Sequence, residues 1–150
     1  MATQAPKRIL VATDFSDGSN EAFEEAIEIA RPTGAEIEVL HVIEPFEELS
    51  FDVTRFDADP GALYAMVDRL LSERAARVGA AGLRGTTKIV EGNAVVEIIK
   101  RGRDIGADLV VVGTHGQTGI AHAMLGSVAE KVVRRATCPV LTVPFSKKAA

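Results

Sequence analysis

Five short apolar runs, separated by four amphipathic helical patterns, constrain this chain more than anything else in it. The runs span residues 9–12, 37–42, 88–90, 109–112 and 140–143. Most are continuous rather than alternating and are rich in Val, Ile and Leu. That is how strands covered on both faces read, as in parallel sheets. Between them, apolar residues recur at helical spacing. The first pattern places Ala22, Phe23, Ala26, Ile27 and Ala30 on one stripe. The second opens on Asp59-Pro60, a cap followed by an N1 proline, and stripes Leu63, Met66, Val67, Leu70, Leu71 and Val78. The third follows Asn93, a candidate cap, and turns Val95, Ile98 and Ile99 inward; the fourth, residues 128–136, carries Ala129, Val132, Val133 and Ala136. Strict β-α alternation predicts an α/β fold: a doubly wound, open sheet of five parallel strands with helices on both faces.

The chain's 150 residues suit a single domain, 1–150, with a core over about 7–144 and a polar tail at 145–150. The polar stretch 44–59 is a long connection inside it. A net charge of −4 argues against a nucleic-acid partner held by bulk electrostatics. Basic residues are scattered, and the lysine pair Lys147-Lys148 lies in the tail. Cys138 is the single cysteine, so no internal disulfide can form, which fits a reducing compartment. The N-terminus reaches Lys7-Arg8 without the apolar region of a signal peptide, and no apolar run is long enough to span a membrane. The expectation is a cytoplasmic protein with no membrane and no nucleic-acid partner.

In such sheets ligands bind beyond the carboxyl ends of the strands, where the strand order reverses. Three segments occupy those ends: Thr13-Asp14-Phe15-Ser16, Val42-Ile43-Glu44 and Gly113-Thr114-His115-Gly116. If the first and fourth strands are neighbours, the three converge on one crevice. The third segment continues through nine residues to Gly126-Ser127, at the start of the last helix. Glycines let the main chain approach a ligand closely, and a helix start attracts negative charge. A phosphate site is the expectation. It is neither a Walker A loop nor a dinucleotide fingerprint, because no Gly-Lys-Ser/Thr occurs and no G-x-G-x-x-G follows the first strand.

Simpler readings stand beside these. Gly113, Gly116 and Gly119 also suit a turn leaving a strand. Ser127-Val128-Ala129-Glu130 matches the S-x-x-E capping box, which would use the Ser127 hydroxyl on its own helix. An Asp after a strand, as Asp14 is, commonly caps the following turn. His115 and His122 lie seven apart with no cysteine cluster, which argues against zinc. His41 reads as packed or at the sheet rim, Cys138 as a small apolar-like residue, and residues 44–48 as a solvated acidic loop.

The spacing G-x2-G-x9-G-[ST], met by Gly113, Gly116, Gly126 and Ser127, resembles the ATP-binding motif of the universal stress protein family. Ile9-Leu10-Val11-Ala12-Thr13-Asp14-Phe15-Ser16 resembles that family's first strand and acidic loop, and Leu40-His41-Val42 its second strand. Ala107-Asp108-Leu109-Val110-Val111-Val112-Gly113 and Cys138-Pro139-Val140-Leu141-Thr142-Val143 resemble its fourth and fifth. The resemblance implies a Rossmann-like sheet of the adenine-nucleotide alpha hydrolase type, binding ATP with Mg²⁺ carried by the phosphates and no protein metal ligands. It implies that Asp14 lies under the nucleoside and contacts adenine or ribose, and that Val42 meets the adenine edge through its backbone. Ala12 would stand at the adenine wall, where the family often has a bulkier residue. Gly113 and Gly116 would line the ribose and phosphate path, and Val112 is counted among the cofactor-binding residues. Gly126, Ser127 and Val128 would hold phosphates through N–H groups and one hydroxyl, and His115 could touch a phosphate.

The implied function is a nucleotide-dependent stress-response regulator. A slow ATPase is the first alternative, but it needs a group that positions water in line with the γ-phosphate, and only Asp14 and His115 are near; no catalytic residue is assigned. A protein-interaction module without nucleotide is the second, and the intact glycines weigh against it. The last strand, Val140-Leu141-Thr142-Val143, would be an apolar sheet edge that invites pairing. The resemblance supports a homodimer through it; an edge covered by the C-terminal tail is the alternative.

Overall fold

The computed structural model describes residues 4–45, 60–114 and 125–145. Strands and helices alternate through them: β1 (Arg8–Ala12), α1 (Asp17–Ala30), β2 (Glu36–Ile43), α2 (Pro60–Ala80), β3 (Gly85–Glu91), α3 (Ala94–Asp104), β4 (Leu109–Gly113), α4 (Ser127–Arg135) and β5 (Val140–Val143). Every strand pair is parallel, and the order across the sheet is β3-β2-β1-β4-β5. The chain winds outward from β1 to β3, then returns to the other side of β1 for β4 and β5. The reversal between β1 and β4 is the switch point, and the expected doubly wound architecture is present.

Side-chain alternation along the strands assigns the two faces. Ile9, Val11, Ile37, Val39 and Val111 pack with Ala22, Phe23, Ala26 and Ile27 of α1 and with Val67, Leu71 and Val78 of α2. Leu10, Leu40, Val110 and Val112 face Val95 and Ile98 of α3 and Ala129 and Val132 of α4. Cys138 packs against this second cluster, and burial, then the charge of Asp108, pushes its thiol up. Glu38 also points to this side. It is 8% exposed, and Arg101 of α3 clasps it with Nε at 2.6 Å and Nη2 at 2.8 Å. A carboxylate so buried is tolerable only with such a partner.

Several local expectations need correction. Met66 and Val133, placed on inward stripes by their spacing, are 42% and 46% exposed. Each flanks its stripe, and the sheet is wide enough to cover only Val67, Leu71 and Val78 on α2 and Ala129 and Val132 on α4. β3 begins at Gly85, well before the apolar run at 88–90, because the ladder to β2 already pairs Ile37 with Gly85. Gly85 must be glycine, since a Cβ there would stand 2.8 Å from the Cβ of Val78. Asn93 caps α3 as expected, its Oδ1 accepting the Val96 N–H at 3.1 Å. The Asp59 cap lies outside the described residues. Among the described residues, no helix is long and apolar enough to cross a membrane, and no group of His, Cys, Asp and Glu could hold a metal ion.

Candidate functional site

The loop after β1 is held by short side chains bonding to its own backbone. Thr13 is buried; its Oγ1 accepts the Phe15 N–H at 3.0 Å and lies 3.0 Å from the Ser19 hydroxyl. Asp14 Oδ1 accepts the Ser16 N–H at 3.0 Å, so this carboxylate does cap its turn. Ser16 then caps α1, its Oγ accepting the Ser19 N–H at 3.2 Å. Phe15 is left-handed, with φ of 63°, a conformation costly for a residue with a Cβ. Its ring lies 4.7 Å from the His41 ring, centroid to centroid, and the Arg74 guanidinium stands over it at 5.3 Å. Arg74 is fixed in turn by a 2.5 Å bond from Nη2 to Asn20 Oδ1.

β2 outruns β1. Their pairing ends at Ala12 and Leu40, and the last rung is the Thr13 N–H donating to the Leu40 carbonyl at 2.9 Å. Along β2 the main-chain polar groups alternate sides. The Ile37 N–H and the Ile43 carbonyl bond toward β3, whereas the Glu36 N–H and the Leu40 carbonyl bond toward β1. Val42 therefore presents its N–H and carbonyl on the β1 side, past the end of β1, which is the crevice. His41 lies beside it, with Nδ1 at 2.8 Å from the Thr13 carbonyl. A carbonyl only accepts, so Nδ1 carries the proton. Burial holds the His41 imidazole below its ordinary value, outweighing the Thr13 carbonyl and the Asp14 charge, which favour the protonated form. Glu44 is not simply solvated: its Oε1 accepts the Ala94 N–H at the start of α3, at 3.2 Å.

On the other side of the switch point, the Thr114 N–H donates to the Val143 carbonyl at 3.0 Å, and the Gly126 N–H donates to the Thr114 carbonyl at 2.5 Å. The chain thus returns to the end of β4 just where α4 begins. Gly126, extended at φ −63° and ψ 162°, is the N-cap, and no side chain caps the helix. This corrects the capping-box reading. Ser127 is one position too late to cap, and Glu130 pairs with Arg134 at 3.0 Å instead of reaching back. The first intrahelical bond is from the Glu130 N–H to the Gly126 carbonyl. The N–H groups of Ser127, Val128 and Ala129 precede it, at the positive end of the helix dipole.

Of the residues singled out in the sequence, Ala12 and Val42 are half-buried at the ends of β1 and β2, and Asp14 is half-buried in the loop after β1. Val112 is buried in the core beneath α3 and α4. Gly113 answers a packing need: a Cβ there would stand 3.0 Å from the Gly18 carbonyl oxygen and 3.3 Å from the Ser19 nitrogen, in the first turn of α1. Gly126, Ser127 and Val128 form the start of α4. His115 and Gly116 lie outside the described residues, as do Gly119 and His122. No motif in the sequence marks the Thr13 hydroxyl, the Phe15 ring, Arg74 or the reach of His41. The one available signal was a histidine next to the residue assigned a backbone contact.

The universal stress protein family model matches residues 6–144. The universal stress protein MJ0531 of Methanocaldococcus jannaschii is 35% identical, over 95% of this chain and 84% of that relative. The solved structure of MJ0577, from the same organism, superposes with a TM-score of 0.83 at 28% identity, covering 97% of this chain and 100% of that one. A universal stress protein crystallised in complex with cAMP gives a TM-score of 0.71 at 30% identity, over 95% of this chain and 100% of that one. This chain belongs to the universal stress protein family.

Proposed function

We propose that the protein binds an adenine nucleotide, ATP with Mg²⁺ carried on its phosphates, and acts as a nucleotide-dependent stress-response regulator. One juxtaposition carries the reading. A strand end with open main-chain groups, at Val42, and an uncapped helix start, at Gly126 and Ser127, flank one switch point. Adenine offers an amino donor beside a ring-nitrogen acceptor. The Val42 carbonyl and N–H complement that pair, with no side chain required. The first-turn N–H groups of α4 and the Ser127 hydroxyl suit phosphate oxygens. In this reading Asp14 contacts adenine or ribose, Ala12 stands at the adenine wall, and Gly113 and Gly116 line the path to the phosphates, with Val112 as core support beneath them. Val128 contributes an N–H, and His115 reaches a phosphate. The relative bound to cAMP supports the adenine assignment.

Regulation is favoured over hydrolysis because Asp14, the described acid in the crevice, already holds its own turn. We also assign the cytoplasm as its compartment, and a homodimer through β5, the four-residue sheet edge Val140–Val143. A monomer by light scattering at micromolar concentration would rule out that dimer.

Calorimetry on nucleotide-free protein tests the central claim. Saturable ATP binding is expected. Ser127→Ala should weaken it about tenfold through loss of one charge-assisted bond, while shifting unfolding by less than about 0.5 kcal/mol, because this hydroxyl caps nothing. Absence of saturable binding by the unaltered protein would overturn the reading. Phosphate release under multiple turnover would turn it toward the ATPase.

A further inference from the structure

We propose that His41 is the positioning residue that stops the β1–β2 ladder one rung early and so keeps the Val42 main chain open for the base. This rests on the nucleotide reading above.

The register that pairs Ala12 with Leu40 places Thr13 opposite His41. In a parallel ladder, such a residue donates its N–H to the carbonyl before its opposite number and accepts the N–H of the residue after it. Thr13 makes the first bond, to the Leu40 carbonyl at 2.9 Å. The second, from the Val42 N–H to the Thr13 carbonyl, is not formed among the described residues. The Thr13 carbonyl is taken by His41 Nδ1 at 2.8 Å instead. The other end of the same strand pair supplies a control. There Lys7 stands opposite Ala35, whose side chain cannot intervene, and the equivalent rung forms: the Glu36 N–H donates to the Lys7 carbonyl at 2.9 Å.

Strand side chains ordinarily stand away from the sheet plane. The His41 ring instead reaches the backbone of the neighbouring strand's continuation. Its contact with Phe15, which Arg74 also engages, steadies it there. His41 thus consumes an acceptor that would otherwise close the crevice, and it touches no ligand to do so.

Two substitutions separate the hydrogen bond from the ring. His41→Phe keeps an aromatic ring and removes the donor; His41→Asn removes the ring and keeps an amide donor near the Nδ1 position. Amide hydrogen exchange on nucleotide-free protein reads the rung directly. In H41F the Val42 amide should become about tenfold more protected than in the unaltered protein, as expected for one net hydrogen bond. ATP affinity should fall by a similar factor, and H41N should keep both values near those of the unaltered protein. Should H41F not fold, His41→Leu removes the same donor. A Val42 amide as open in the donor-less variant as in the unaltered protein would overturn the proposal. So would protection gained with no loss of affinity. If the unaltered protein binds no adenine nucleotide, the nucleotide reading itself fails, and the role of His41 falls with it. Tight binding left untouched by H41F defeats the His41 proposal alone.

Discussion

The two ends of the sheet are held by different chemistry. At the amino end, charges do the fastening. One oxygen of Asp108 accepts the N–H groups of Lys7 at 2.9 Å and Arg8 at 3.0 Å, and Arg8 Nη1 donates to the Ile105 carbonyl at 2.6 Å. Glu36 meets Arg84 at 3.1 Å, and Glu38 is clasped by Arg101. At the carboxyl end the fastening is mostly neutral: hydroxyls of Thr13, Ser16 and Ser19 bond to one another and to the loop backbone. Glycine replaces bulk at Gly113 and Gly126. Neutral hydroxyls settle the loop without adding fixed charge, so the field at the crevice comes from the Asp14 carboxylate and the start of α4. Holding the sheet together thus falls to one end, and receiving a nucleotide, in the proposed function, to the other.

Glu38→Ala is the strongest way to break that division. Removing one partner of a buried pair costs about 3–5 kcal/mol. The Arg101 side chain keeps 26% of its exposure, so water recovers part of this, and a loss of about 2–3 kcal/mol is expected in urea unfolding. ATP affinity should not change; a change would show that the two ends are coupled. The exposed pairs of Glu36 with Arg8 and Arg84 are worth far less. Gly113→Ala probes the other end. Its Cβ would press on the Gly18 carbonyl at 3.0 Å, so a loss of about 1 kcal/mol is expected. Because the first turn of α1 carries Ser19, which supports the β1 loop, nucleotide affinity should weaken too. Stability loss without weaker binding would sharpen the division further.

The smallest effect is a slope with pH. The His41 imidazole sits below its ordinary 6.5 in the folded protein, chiefly through burial. The unfolded chain therefore binds more protons just below 6.5, and the His41 contribution to stability is complete above that pH and lost as pH falls through the folded value. Urea midpoints on either side of 6.5 should show the decline, and His41→Asn should flatten it. An unchanged slope in that variant would place the titrating group elsewhere.

Much of this was legible in the residues because burial on both faces leaves continuous apolar runs, and β1, β4 and β5 read directly. The polar start of β3 did not, since an edge strand needs only ladder partners: Thr86, Thr87 and Lys88 are exposed yet paired with Glu38, Val39 and Leu40. Glu38 was hidden inside an apolar run, because nothing local announces that Arg101, far along the chain, will neutralise it. The start of α4 was misread by one residue. S-x-x-E describes a local possibility, while the bond from the Gly126 N–H to the Thr114 carbonyl fixes where the helix begins. Topology put the segments that hold Asp14 and Val42 at the strand ends, and the family resemblance supplied the roles expected of them. The hand of His41 in exposing Val42 needed the register, which no single segment encodes.

That bond between Thr114 and Gly126 also bears on how much chain can join β4 to α4. The two ends of the intervening stretch are brought within 2.5 Å by the folded sheet and helix. Closure entropy therefore grows only logarithmically with the length inserted between them, by about 0.6 kcal/mol per doubling. The neck between Thr114 and Gly126 is thus set by the sheet and α4, not by the length of chain that joins them.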